Sequence, residues 1–142
     1  MEINRGIICN IVPDFAALLN FNHISELCCF QVKIETYEKN DVWKQHRDIF
    51  GIYEIESGAV NGKPHYSSML HSGKFGIWHN KDNKLIVGLT HQGHRGAIGG
   101  FAYNDNRDNH NCPYGPAFDW FYVNATGYWK EACDGLTISC LN

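Results

Sequence analysis

Residues 50–69 read FGIYEIESGAVNGKPHYSSM, and the fold follows from how that stretch is parsed. Residues 50–55 alternate with the two-residue period of a strand. Asn61-Gly62 then supplies the strongest short hairpin signal in the chain. A tight turn of the type that joins twisted strands needs positive φ at both central residues, which Asn and Gly tolerate best. Pro64 pre-sets the backbone as it leaves the turn, and residues 64–69 are predicted to form the returning strand.

Outward from this hairpin the same pattern recurs. Residues 31–37 alternate, with Val32, Ile34 and Thr36 on one face. Further strands are predicted at 75–79, 84–90, 101–103, 118–124, 128–132 and 136–140. Turn residues lie between them at 81–83, 125–127 and Asp134-Gly135. Short strands at this spacing predict an all-β domain, a mainly antiparallel sandwich or barrel. The helical signal is confined to residues 13–29, where Pro13 and Asp14 suit a helix start and Phe15, Leu18 and Leu19 share a side. Residues 38–48 read as a polar loop anchored by Trp43, and Trp78, Trp120 and Trp129 read as core. The expected organisation is an N-terminal segment, 1–27, with short helical character, followed by a β domain, 28–142.

Composition narrows the class. The chain has 142 residues, one domain's worth, with 44% hydrophobic and 19% charged residues, which is globular rather than disordered. Net charge is −3 and no basic block is present, so nucleic acid is not an expected partner. No run approaches the ~20 apolar residues of a membrane-spanning helix, so membrane insertion is not expected. Six cysteines in so short a chain point to an oxidising, extracellular compartment. Asn124-Ala125-Thr126 is an N-glycosylation sequon and points the same way. Residues 1–29 do not read as a signal peptide, because Pro13-Asp14 interrupts the apolar patches. Either the secretion signal lies outside this chain, which is the preferred expectation, or the protein is cytosolic with free thiols.

Six cysteines permit 15 pairings. Turn geometry suggests Cys112–Cys133 across the base of a late hairpin. Cys140 in the last strand can reach Cys28 or Cys29 beside the first, which gives Cys29–Cys140 and leaves Cys9–Cys28. A zinc site of Cys and His is the sharper alternative, but no C-x-x-C pair is present.

The order of landmarks along the chain carries a resemblance. It runs Gly51-x-Tyr53, Val60-Asn61-Gly62-Lys63-Pro64-x-Tyr66, Ile77-Trp78, Ile86-Val87-Gly88, Gly99-Gly100, Cys112-Pro113, Trp120, Trp129, then Gly135-Leu136-Thr137-Ile138-Ser139-Cys140. This resembles a poorly named module, often repeated, of extracellular invertebrate proteins, and covers about residues 28–140. The resemblance implies an all-β extracellular domain and brings no established activity. Lys84-Leu85 stand where that module carries a tryptophan, and residues 1–27 have no counterpart in it.

Candidate sites lie in polar stretches. Asn104–Asn111 is dense in oxygen donors, with Asp105 and Asp108 as its carboxylates. The spacing departs from an EF-hand, yet calcium is the one candidate cofactor, since it takes six or more oxygens. Otherwise no cofactor is expected. His91 and His94 have an H-x-x-H spacing but lack the helix and glutamate of a zinc protease, so they stand with Asp105 and Asp108 only as candidate metal ligands. His65, His71, His79 and His110 read as surface residues. Gly93–Gly100 lacks the Lys-Ser/Thr ending of a phosphate loop, and no serine sits in a G-x-S-x-G turn.

These features favour a secreted recognition module over an enzyme. Its partner would be an extracellular glycan or protein, presented to polar loops at 39–47, 91–95 and 104–111. Tyr103, Asp105, Asn106, Asp108 and Tyr114 are the candidate ligand contacts, combining aromatic faces with amide and carboxylate groups. A structural or assembly protein of an extracellular matrix is the alternative, and a small hydrolase or metal-dependent enzyme the third.

Overall fold

The computed structural model describes residues 28–37, 40–93, 100–105, 111–113, 120–132 and 135–141. The N-terminal segment 1–27, with the helix expected within 13–29, lies outside the described residues. Among the described residues nine strands form one antiparallel sheet: β1 (Gln31–Glu35), β2 (Gly51–Ile55), β3 (Tyr66–Ser68), β4 (Phe75–His79), β5 (Leu85–Leu89), β6 (Ala102–Asn104), β7 (Trp120–Val123), β8 (Trp129–Glu131) and β9 (Thr137–Leu141). Strands β1 to β8 run as a meander, and β9 returns to pair with the free side of β1. All the strands expected from residue 31 onward are present.

One face of this sheet carries the core. Val32 and Ile34 of β1, Tyr53, Tyr66, Phe75, Ile77, Leu85, Val87, Ala102, then Trp120 and Tyr122 of β7 join Ile138 of β9 in a single buried cluster. Strands six places apart in the sheet share one core only if the sheet curls, as the right-handed twist of strands permits. The chain 36–50 helps fill the concave side. Asn40 caps a short helix, α1 (Asp41–Gln45), by accepting from Trp43 N–H at 2.8 Å. A 3-10 turn, Arg47–Ile49, follows.

Three expectations are corrected. Residues 38–48 are not a loop anchored by Trp43: α1 forms within them, and Val42 and Ile49 are the buried anchors, because they face the core while Trp43 is half-exposed. Trp129 is not core but 44% exposed, because β8 lies at the sheet edge and its residue faces outward opposite Val123. His65 and His79 are buried, not surface residues.

The hairpin at 50–69 has the expected turn. Asn61 and Gly62 both have positive φ, +52° and +80°, and Val60 and Lys63 exchange backbone hydrogen bonds at 2.9 and 3.1 Å. Asn61 also donates to the His79 carbonyl at 2.9 Å, docking the turn on the end of β4.

Among the described residues two disulfides tie the sheet. Cys29–Cys140 joins the start of β1 to β9, the pairing reached from the sequence. Cys28 is bonded to Cys112, which replaces both expected partners, Cys112–Cys133 and Cys9–Cys28. The topology explains the difference. The start of β1, the end of β6 and the start of β7 lie at the same end of the antiparallel sheet, which is where Cys112 meets Cys28. Cys9 and Cys133 lie outside the described residues.

Tyr53 couples the core to pH. Its ring is buried and its hydroxyl donates to the Ile49 carbonyl at 2.6 Å. Burial pushes the phenol far above its usual range near 10. The unfolded chain ionises first, so stability from this group is whole below pH 10 and falls as pH rises above it, by up to about 1.4 kcal/mol per pH unit. Urea unfolding between pH 9 and 11.5 is expected to show this fall. In Tyr53→Phe that component disappears, at a cost of about 1 kcal/mol at neutral pH for the lost hydrogen bond.

Candidate ligand-binding face

The outer face of the sheet is also apolar along one row. The register aligns Trp78, Ile86, Tyr103, Phe121 and Glu131 across β4 to β8. At its inner end Trp78 and Ile86 are buried with Val60 in a second cluster, against which Tyr103 packs. What covers Trp78 is close backbone: a Cβ added to Gly93 would lie 2.6 Å from its ring, and one on Gly88 would lie 2.8 Å from it. Glycine is needed at both places for that reason. Gly93 ends a one-turn helix, α2 (Thr90–Gly93).

The outer end of the row is half-buried, with the exposed Trp129 beside it. Tyr103 and Phe121 stack at 5.0 Å with 17° between planes, and Trp129 meets Tyr103 edge-on at 4.9 Å and 82°. The three rings form a corner of floor and wall rather than a flat plate. Lys84 borders it, with its ammonium 5.4 Å from the Tyr103 ring centroid and 2.8 Å from an Asp105 carboxylate oxygen. That hydrogen bond holds the Lys84 pKa above its ordinary value. Desolvation raises the Tyr103 phenol, helped by the Asp105 charge. Both Lys84 and Asp105 are partly exposed, so the pair adds little stability and serves mainly to place two polar heads beside the rings.

Of the five candidate ligand contacts, Tyr103 and Asp105 therefore meet on one face. Asn106, Asp108 and Tyr114 lie outside the described residues. Of the candidate metal ligands, Asp105 is engaged by Lys84 and His91 is exposed on α2. Among the described residues no group of three or more His, Cys, Asp or Glu is placed to hold a metal ion. Asp108 and His94 lie outside the described residues.

Lys84, Phe121 and Trp129 were not singled out as ligand contacts by the sequence reading. A signal for Phe121 was present. In the run Trp120-Phe121-Tyr122, a period of two sends the middle ring to the opposite face from its neighbours.

Asn124 occupies the β7–β8 turn. Its side-chain oxygen accepts from Thr126 N–H at 3.0 Å, Thr126 Oγ1 at 2.8 Å and Tyr128 N–H at 3.0 Å. This closes an Asx turn in which the sequon threonine already contacts the asparagine. Tyr128 beside it is 72% exposed. Among the described residues no helix is long and apolar enough to cross a membrane. Compared with known proteins, the chain matches no family model, no curated protein and no solved structure.

Proposed function

We propose that the domain is a secreted recognition module that binds a glycan on the corner formed by Tyr103, Phe121 and Trp129. The observation that carries this reading is the exposed Trp129 held edge-on against Tyr103, with a carboxylate and an ammonium alongside. A pyranose has apolar C–H faces and a rim of hydroxyls. Rigid aromatic rings take the first, and Asp105 and Lys84 are suited to accept from and donate to the second. Asn106, Asp108 and Tyr114 belong to the proposal by sequence alone. The two disulfides and the landmark resemblance support the extracellular placement. Glycosylation of Asn124, also proposed, would put the protein's own sugar next to the Trp129 end of the corner.

The test uses protein from a eukaryotic secretory host, before and after enzymatic removal of N-glycans, on a glycan array with and without calcium. A mass loss mapped to Asn124 and selective glycan signals are expected. Trp129→Ala is expected to reduce those signals at least about tenfold, the effect of losing ~1.4 kcal/mol, with the unfolding midpoint within the range of surface substitutions. Silence of every form on the array removes the glycan reading, and an unmodified Asn124 removes the glycosylation.

A second reading, assembly through protein contacts, is favoured by a different surface. Ile52, Met69 and Leu70 are all exposed, and Ile52 and Met69 are adjacent across β2 and the end of β3. Monomer alone at high concentration in analytical ultracentrifugation would count against self-assembly.

A further inference from the structure

The end of the sheet opposite the Cys28–Cys112 bridge has a chemistry unlike that of the aromatic corner. There α1 and the 3-10 turn cross in front of the first residues of β4 and the residue before β6, leaving a cavity of about 400 Å³. Phe75 and Phe101 lie at its base and pack edge to face at 5.9 Å, with Phe75 almost wholly buried and Phe101 the more accessible ring. His46 forms one wall, its ring 5.3 Å from Phe101 and its Nε2 2.6 Å from the Val123 carbonyl. That contact makes Nε2 the donor and fixes the ring, leaving Nδ1 as the nitrogen not committed to Val123.

The rim is cationic. Lys44 and Arg47 line the cavity, and among the described residues neither has a carboxylate within ion-pair distance. Arg47 is held over the Trp43 ring at 4.3 Å, so its fork is oriented before any ligand arrives. Asp48, the one acid lining the cavity, faces His71 at 4.0 Å. Among the described residues, a chain with net charge −3 thus places two cations without a carboxylate partner beside the Phe101 ring.

We infer that this cavity is a second binding site, for a small organic anion with a flat apolar body, such as an aryl carboxylate. The ring would lie against the half-buried Phe101, and the carboxylate would take hydrogen bonds from Arg47 and Lys44. Its volume lies in the range of small-molecule pockets, which often occupy the mouths of curled or closed sheets. The site does not depend on the glycan reading, since it shares no residue with the Trp129 corner.

Saturation-transfer NMR and titration with 4-ethylbenzoate, 4-ethylbenzamide and 4-ethylbenzylamine test the inference. The carboxylate is expected to bind saturably, the amide at least about tenfold more weakly, a difference of ~1.4 kcal/mol, and the amine not at all. Lys44→Ala/Arg47→Ala, at exposed positions, is expected to bring the carboxylate down to the level of the amide, while Trp129→Ala leaves it unchanged. Absence of carboxylate binding overturns the inference. So does equal binding of all three probes, an unaltered affinity in the double variant, or loss of binding in Trp129→Ala.

Discussion

Removing the bridge between the first and last strands, as Cys29→Ala/Cys140→Ala, is expected to lower the stability of the domain by on the order of 4–5 kcal/mol. The bridge closes a separation of 111 residues, and loop-closure entropy of that length yields the estimate. Whole domains are stable by roughly 5–15 kcal/mol, so the variant should be close to unfolding at ambient temperature. Both cysteines are replaced so that no lone thiol remains to exchange with the other bridge. The loss should concentrate locally as well. The last strand has one neighbour, β1, and one core residue deeply inserted, Ile138. Amide exchange in 137–141 should therefore accelerate before that of β4 and β5. Urea unfolding and exchange together check this, and a loss below about 1 kcal/mol would show that the strand pairing alone holds the edge. Cys28→Ala/Cys112→Ala, spanning 84 residues, has nearly the same entropic value. It should loosen the surroundings of Cys112 rather than the last strand.

The second large effect is expected at Trp78. The side chain is 1% exposed and fills the space between the sheet, the Val60 turn and α2. Trp78→Ala should cost on the order of 3–5 kcal/mol, as deletions of buried aromatic rings do. The glycines around it give an internal control. Gly93→Ala drives a Cβ into the ring and should cost about 1–3 kcal/mol in the native background. With the ring already removed, the same substitution should be nearly free. A double-mutant cycle measures that coupling, and strict additivity would mean that the ring is not what requires glycine at 93. Tyr103 packs on the same cluster, so the aromatic corner should loosen in Trp78→Ala as well.

Much of the fold was legible because period-two alternation and turn chemistry are local signals. The Asn61-Gly62 turn and the strand Phe75–His79 needed nothing beyond their own residues. Facing was harder to read. Strand β4 is buried on both sides, so Trp78 fits a core assignment equally well from either face. Trp129 carries the same residue type but lies at an edge, and only the strand order reveals which of the two rings meets solvent. The cysteine partners depend on which sheet end each loop reaches. Cys112 therefore found Cys28 rather than a neighbour in sequence. Alternation could not anticipate α1, since Val42-Trp43 is an isolated apolar pair in a polar stretch. The cavity it helps form was invisible for the same reason: Phe75 and Phe101 are brought beside 44–49 by the meander and by nothing local.

The bridge between β1 and β9 also determines how the domain carries load. A pull between residues 28 and 141 enters through adjacent strands and passes at once into the Cys29–Cys140 bond. The intervening separation of 111 residues is shielded from tension, withholding roughly 370 Å of contour length at full extension. While that bond is intact, such a chain would transmit force across this domain as an almost inextensible knot, with the aromatic corner and the cationic cavity held in the unstressed part of the polymer.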